Sequence, residues 1–347
     1  MTLRPLSLTR SLVAALTLAA AAGCSTASTS TAPIKLAMVT DVGGLGDRSF
    51  NDGAYNGLKL AKSRLGAEIQ VLESKSAADY QPNLTVLADQ DYDEIYAIGF
   101  LMNRDLDRIA RNYPRRHFAI IDAVVDEPNV TSVTFREQDG SFLAGALAAM
   151  VSKTHTVAFL GGIDIPLLRK FEAGFTAGAH EIDPKADVLV KYVGSFDDVS
   201  SGKELAGVLY GQHADIIFVA AGKAGLGAFE EAKSRDGTYV IGVDANQDGL
   251  IPGKVLSSMV KHVDNAVFAI AQDALSQKIP SGVTEFGLKD DGVGLTDFKY
   301  TKQIIGAKNI ATLGALKQMI IAGKIVVPFT REALATWKPV PLPASGA

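Results

Sequence analysis

The chain of 347 residues has one cysteine, Cys24, so it cannot close a disulfide within itself. Its five histidines (His117, His155, His180, His213 and His262) are scattered, without the spacing of a metal-ligand set. Lys and Arg number 34 against 38 Asp and Glu, and the signs are interspersed at a net charge of −4. The basic face that a nucleic-acid partner needs is missing. Beyond the N-terminus no apolar run approaches transmembrane length. Signatures of catalysis are absent too. Gly43-Gly44-Leu45-Gly46 is not followed by Gly-Lys-Ser/Thr, so it is no phosphate loop, and it lacks the Gly-x-Gly-x-x-Gly spacing of a dinucleotide-binding turn. No Gly-x-Ser-x-Gly nucleophile elbow occurs.

What is present begins with an export signal. Arg4 and Arg10 are basic, and residues 11–22 form an apolar stretch too short to span a bilayer comfortably. The stretch ends Ala21-Ala22-Gly23-Cys24, which resembles the lipobox of bacterial lipoproteins, where cleavage precedes a lipidated cysteine. The alternative is an ordinary secretory signal with a chance cysteine. An exported chain that avoids cysteine everywhere else supports lipidation at Cys24. Residues 25–33, rich in Ser and Thr, read as a flexible tether.

About 310 residues remain, enough for two well-cored domains. They alternate strand and helix patterns. Strands are expected over 34–40, 68–72, 94–100 and 117–122, with helices over 49–65, 80–88 and 104–112 between them. A second set has strands over 129–135, 156–160, 187–193, 215–220, 239–243 and 255–260. Apolar blocks flanked by helices indicate parallel sheets buried on both faces. The expected fold class is therefore α/β, with two doubly wound parallel-sheet lobes. The first lobe is expected over 34–128 plus about 262–280, the second over 129–261 plus about 281–325, and a tail over 326–347.

In an open α/β sheet, ligands bind outside the carboxyl ends of the strands. Asp41, Asp122, Gly222 and Asp244 stand at such ends, Phe196 lies just after one, and Lys261 closes a further strand. Phe50 and Asn51 open the helix after the Thr40–Gly53 loop. Carboxylates accept from hydroxyls and ring N–H groups; aromatic faces stack on planar rings. Each residue also has a plain reading. Asp41 and Asp244 could cap turns or helices, Asp122 could pair with a basic residue across the cleft, Phe50 and Phe196 could be core, and Lys261 could be solvated or neutralise an Asp.

Together these residues carry a resemblance. Thr40-Asp41-Val42-Gly43-Gly44 with Asp47-Arg48-Ser49-Phe50-Asn51 looks like the opening motif of the basic membrane protein family of substrate-binding lipoproteins. Phe142-Leu143-Ala144-Gly145, Phe171-Glu172-Ala173-Gly174-Phe175, Gly242-Val243-Asp244 and Phe286-Gly287-Leu288-Lys289-Asp290 continue it along the mature chain. The resemblance implies a type I periplasmic-binding-protein fold, two lobes joined by three crossings, and a purine-nucleoside receptor feeding an ABC importer. It implies that Phe50 and Phe196 sandwich the base, that Asp41 and Asn51 sit on the first lobe's side with Asn51 polar to the ligand or to Asp41, that Asp122 holds polar edges of the ligand, that Gly222 lets backbone come close, and that Asp244, with Lys261 beside it, meets the ribose. No enzyme activity and no cofactor are expected. The expected partners are a small-molecule ligand, the importer's membrane subunits and, through Cys24, the lipid bilayer, with the receptor a monomer on the outer side of the membrane. A receptor for a sugar or other small polar ligand, or an exported nucleoside-processing enzyme, are the alternatives.

Overall fold

The computed structural model describes residues 1, 2, 32–278 and 280–341. The expected signal, Cys24 and nearly all of the tether lie outside the described residues. The described residues from 33 onward form one unit. Its strands, in chain order, are β1 (Lys35–Thr40), β2 (Glu68–Glu73), β3 (Glu94–Ile98), β4 (Phe118–Ile121), β5 (Val130–Phe135) and β6 (Thr156–Gly161). They continue with β7 (Asp187–Tyr192), β8 (Ile216–Ala220), β9 (Tyr239–Asp244), β10 (Val255–Lys261), β11 (Gly282–Phe286) and β12 (Val293–Leu295).

These strands build two sheets, ordered β11-β5-β4-β3-β1-β2 and β12-β10-β9-β8-β6-β7. Every pairing is parallel except that of β12 with β10. The central strands β1, β3, β4, β6 and β8 are almost wholly buried, as a sheet covered by helices on both faces requires. Each sheet reverses its winding once, between β1 and β3 in the first and between β6 and β8 in the second. Such a switch point leaves a crevice at the carboxyl ends of the strands.

Three crossings join the lobes. The chain leaves the first sheet after β5, and the Glu137–Val151 helix packs on the Pro166–Ile182 helix and on β10. It returns after β10, and the Val263–Leu275 helix packs on the Phe50–Leu65 helix and β3. It crosses again between β11 and β12. Two sequence expectations are corrected here. Residues 129–135, expected to open the second lobe, pair with β4 in the first sheet. Residues 282–286, also expected in the second lobe, pair with β5 in the first. Their β-branched runs specify a strand, but strand partnership is a long-range matter that a local pattern does not encode. The tail expected over 326–347 carries a short helix, Arg331–Thr336.

The Phe50–Leu65 helix positions the first lobe's site residues. Asp47, nearly fully buried, accepts N–H bonds from Ser49 (2.9 Å), Asn51 (2.8 Å) and Asp52 (3.1 Å), satisfying donors that a helix start leaves free. Gly66 ends the helix at a φ of 71°. In the second lobe the 137–151 and 166–182 helices touch through glycine. A Cβ on Gly145 would lie 1.9 Å from the Phe175 carbonyl oxygen, and one on Gly178 would lie 1.9 Å from that of Phe142. Gly145→Ala and Gly178→Ala should each cost about 1–3 kcal/mol or more by overpacking. Gly211→Ala, with open space around it, should be neutral or slightly stabilising. Urea unfolding compares the three; equal midpoints would refute the close helix contact.

Candidate functional site

The carboxyl ends of the two sheets face one cavity of ≈ 580 Å³ of atom-free space, its mouth included. All eight residues picked from the sequence line it: Asp41, Phe50, Asn51, Asp122, Phe196, Gly222, Asp244 and Lys261. The first sheet's switch point contributes Asp41, after β1, and Gly99, after β3. Opposite them stand Ala220, which ends β8, and Gly222 just beyond it.

Local backbone geometry aims these groups. Asp122 and Asp244, at the ends of β4 and β9, adopt φ of 71° and 61°. This left-handed region is costly for most side chains, and Asp is among the few that tolerate it. Gly222 takes a φ of 55°, where a Cβ would come within 3.3 Å of the Phe196 carbonyl oxygen. A side chain at Gly162 would drive its Cβ to 2.4 Å from the Phe196 ring, so that glycine gives the ring its seat.

Asp41 is tied to Asn51. The Asn51 Nδ2 donates to Asp41 Oδ1 at 2.7 Å and to Asp47 Oδ2 at 3.1 Å, while Gly43 N donates to Asp41 Oδ1 at 2.9 Å. Burial raises the Asp41 carboxyl to about 6, with the Asn51 and Gly43 donors pulling the other way. Asp244 is likewise raised to about 6 by burial, against Lys261 and Ser49. In both cases the folded form binds protons more tightly than the unfolded chain. Their contribution to stability is therefore greatest at low pH and declines as pH rises from about 4 to about 6.

Lys261 is the cavity's buried cation. Its Nζ lies 2.5 Å from Asp122 Oδ2, and 3.8 Å from both Glu137 Oε1 and Asp244 Oδ1. The same nitrogen sits 4.8 Å from the Phe50 ring centre, 5.4 Å from Phe135 and 5.6 Å from Phe171. Burial works against its charge, but Asp122, Asp244 and Glu137 outweigh that and hold its pKa above the usual lysine value. Behind it, Lys170 pairs with Glu137 Oε2 at 2.5 Å. Asp122 Oδ1 is buried with no hydrogen-bond partner among the described residues.

Besides the Lys261–Asp122 bond, hydrogen bonds from the Arg48–Ser49 turn to the end of β9 and the loop after it cross between the lobes. Ser49 Oγ donates to Asp244 Oδ2 at 2.7 Å, and Gln247 Nε2 donates to the Arg48 carbonyl at 3.0 Å. Ser49 is available for this because Asp47 does the helix capping.

Sequence reasoning overlooked the apolar wall. Phe100 and Leu101 follow β3, while Ile165, Leu167, Leu168 and Phe171 follow β6. Phe171 sits in a motif already noted, but apolar residues opening a helix look the same whether they face a core or a ligand. The one usable signal was position after a strand end. Among the described residues no group of three or more His, Cys, Asp or Glu has metal-holding geometry.

Replacing Lys261 with Met should destabilise the fold by about 3–5 kcal/mol at neutral pH, since partners of a buried ion pair are left charged and dry. Glu137 and Asp244, already raised by burial, would lose their opposing cation. The native variant would then bind protons still more tightly than its unfolded chain. Its deficit should be small near about pH 5 and larger near about pH 8. Urea melts at both values measure this; an equal deficit at the two would contradict the pairing argument.

Comparison with known proteins agrees with this geometry. The Bmp family model, ABC transporter substrate-binding protein PnrA-like, matches residues 34–330. A CD4+ T-cell-stimulating antigen of Listeria monocytogenes is 38% identical over 84% of this chain and 87% of its own length. The ABC transporter nucleoside-binding protein BmpA of Lactococcus lactis is 36% identical over 85% of this chain and 89% of its own. An ABC transporter system solute-binding protein from Aeropyrum pernix superposes with a TM-score of 0.81 at 28% identity, covering 88% of this chain and 96% of that one.

Proposed function

The chain belongs to the PnrA-like family of ABC transporter substrate-binding proteins, and from that membership we propose that it captures a purine nucleoside between its lobes. It is a non-catalytic solute receptor of the cell envelope, and its partners are a small-molecule ligand and the membrane subunits of an ABC importer. Cys24 carries the lipid in this reading, and residues 25–33 let the body stand off the membrane.

The observation that carries the ligand reading is the cavity's mixed wall. Phe50, Phe100, Phe171 and Phe196 offer ring faces, while Asp41, Asp47, Asp122 and Asp244 offer carboxylates. A bare sugar would use the carboxylates and leave much of the apolar wall idle. A nucleoside uses both: its base lies against Phe50 and Phe196, and its hydroxyls donate to Asp244, beside Lys261. Asp122 Oδ1, an acceptor without a partner, suits a base N–H. Asn51 holds Asp41 in place for the same side of the ligand. Gly222 lets the backbone approach.

The charge balance sharpens the class. Four carboxylates face one lysine among the lining residues. A phosphate would add like charge to a dry site, at a cost that one ammonium does not offset. The receptor therefore takes nucleosides and rejects nucleotides. Contacts present only when the lobes meet, Ser49 to Asp244 and Gln247 to Arg48, would let a ligand shift the open–closed equilibrium.

Calorimetry on the full chain in detergent, with adenosine, guanosine, inosine, uridine, AMP and ribose, tests this. Nucleosides should bind at micromolar concentration or tighter, AMP at least roughly a hundredfold more weakly. Binding of ribose alone would favour the sugar reading. Phe50→Ala and Asp244→Ala should each weaken binding, by about 1–3 kcal/mol for the lost stacking face, without a matching loss of thermal stability. A fall in stability equal to the fall in binding would support a plain core role. Since ionised Asp41 and Asp244 accept from hydroxyls more strongly than their protonated forms, affinity should fall as pH drops through about 6; a flat profile would argue against hydroxyl recognition by these carboxylates.

A further inference from the structure

The loop after β6 and the first turns of the Pro166–Ile182 helix supply Ile165, Leu167, Leu168 and Phe171 to the cavity. Two acidic side chains frame that stretch: Asp164 before it and Glu172 directly after Phe171. Both are gripped from outside the cavity by Arg331, the first residue of the C-terminal helix. Arg331 Nε donates to Glu172 Oε1 at 2.8 Å and Nη2 to Glu172 Oε2 at 2.6 Å. The guanidinium also reaches Asp164, with Nη2 3.4 Å from Oδ1.

An isolated exposed ion pair contributes little. This one differs in geometry and surroundings. It is a two-pronged fork on a carboxylate that is 6% exposed. Glu172 Oε2 also accepts from the Tyr192 hydroxyl at 2.6 Å, and Asp164 Oδ1 from Arg169 Nε at 2.7 Å. The C-terminal segment that bears Arg331 is itself fastened to the second lobe. Trp337 packs edge-on against Phe142 at 6.0 Å, and Val340 N donates to Glu181 Oε2 at 2.9 Å. Thr330 caps the helix, accepting from Ala333 N at 3.1 Å. Arg331 lies one residue beyond the stretch matched by the family model.

We propose that Arg331 is a positioning residue for the ligand cavity, holding the 164–172 stretch so that its apolar side chains stand in place before a ligand arrives. This rests on the cavity being the ligand site. Ordering that wall in advance removes a cost that would otherwise fall on binding. Lysine is a poor substitute, because a point charge does not reproduce a planar fork that holds two carboxylates together.

The test compares wild type, Arg331→Met, Arg331→Lys and Asp164→Asn as full chains in detergent. Adenosine and inosine are the probes, and hydrogen exchange is followed without ligand. Arg331→Met should speed exchange in peptides covering 162–172 while leaving β1 and β3 unchanged. It should raise Kd roughly tenfold, mainly through faster dissociation, with Arg331→Lys close to it and Asp164→Asn intermediate. Unchanged exchange over 162–172 overturns the proposal, as does a loss of affinity that only tracks a lowered melting temperature. If wild type binds neither probe, the nucleoside reading fails, and the exchange data alone decide whether Arg331 holds the wall.

Discussion

The fold turns on a buried ion pair, Lys261 Nζ to Asp122 Oδ2 at 2.5 Å. Its partners come from different sheets, Asp122 from the end of β4 and Lys261 from the end of β10, where the chain crosses between lobes. Burying such a pair gains little stability, since dehydration cancels most of the attraction. What it does is fix positions. Without the ammonium, Asp122, Glu137 and Asp244 could not share one dry corner. Without those carboxylates, the ammonium could not sit among the rings of Phe50, Phe135 and Phe171. One cation thus sets the relative placement of aromatic and acidic groups drawn from both lobes.

Topology brings those groups within reach. Both sheets repeat one winding, and each has its switch point at the end of its first strand, β1 or β6. Three crossings turn the two crevices toward each other. The cavity therefore has two half-sites of similar origin, with Asp41 and Phe50 on one side and Gly222 and Phe196 on the other. A half-site alone is open to water. With the lobes in contact, burial raises the carboxyls of Asp41 and Asp244.

Much of this was legible in the sequence, for a physical reason. An apolar run that stops at Asp or Gly marks a strand end, and strand ends are where such folds bind ligands. That logic reached Asp41, Asp122, Phe196, Gly222, Asp244 and Lys261; Phe50 came from the loop after β1 and Asn51 from the family motif, and all eight are among the residues that line the cavity. It failed where the information is not local. Residues 130–135 read correctly as a strand, yet nothing in their pattern says that their neighbour is β4. Leu168 and Phe171 open a helix with the same apolar spacing that a core-facing helix would have. Arg331 reads as one more surface arginine until Glu172 and Asp164 are seen beside it, 159 and 167 residues away in sequence.

The electrostatics also bear on how such a receptor could release its cargo. Asp244 is shared. Its Oδ2 accepts from Ser49 across the cleft at 2.7 Å, and its Oδ1 lies 3.8 Å from Lys261. A ligand hydroxyl at Asp244 would thus join a carboxylate already engaged in holding the lobes together. Opening the lobes breaks the Ser49 bond, readmits water and lowers the cost of leaving Asp244 charged without the ligand. The same motion removes the contact between Gln247 and Arg48. In the proposed function, closure and ligand contact would therefore strengthen each other through one carboxylate, and a force that parts the lobes would weaken both together.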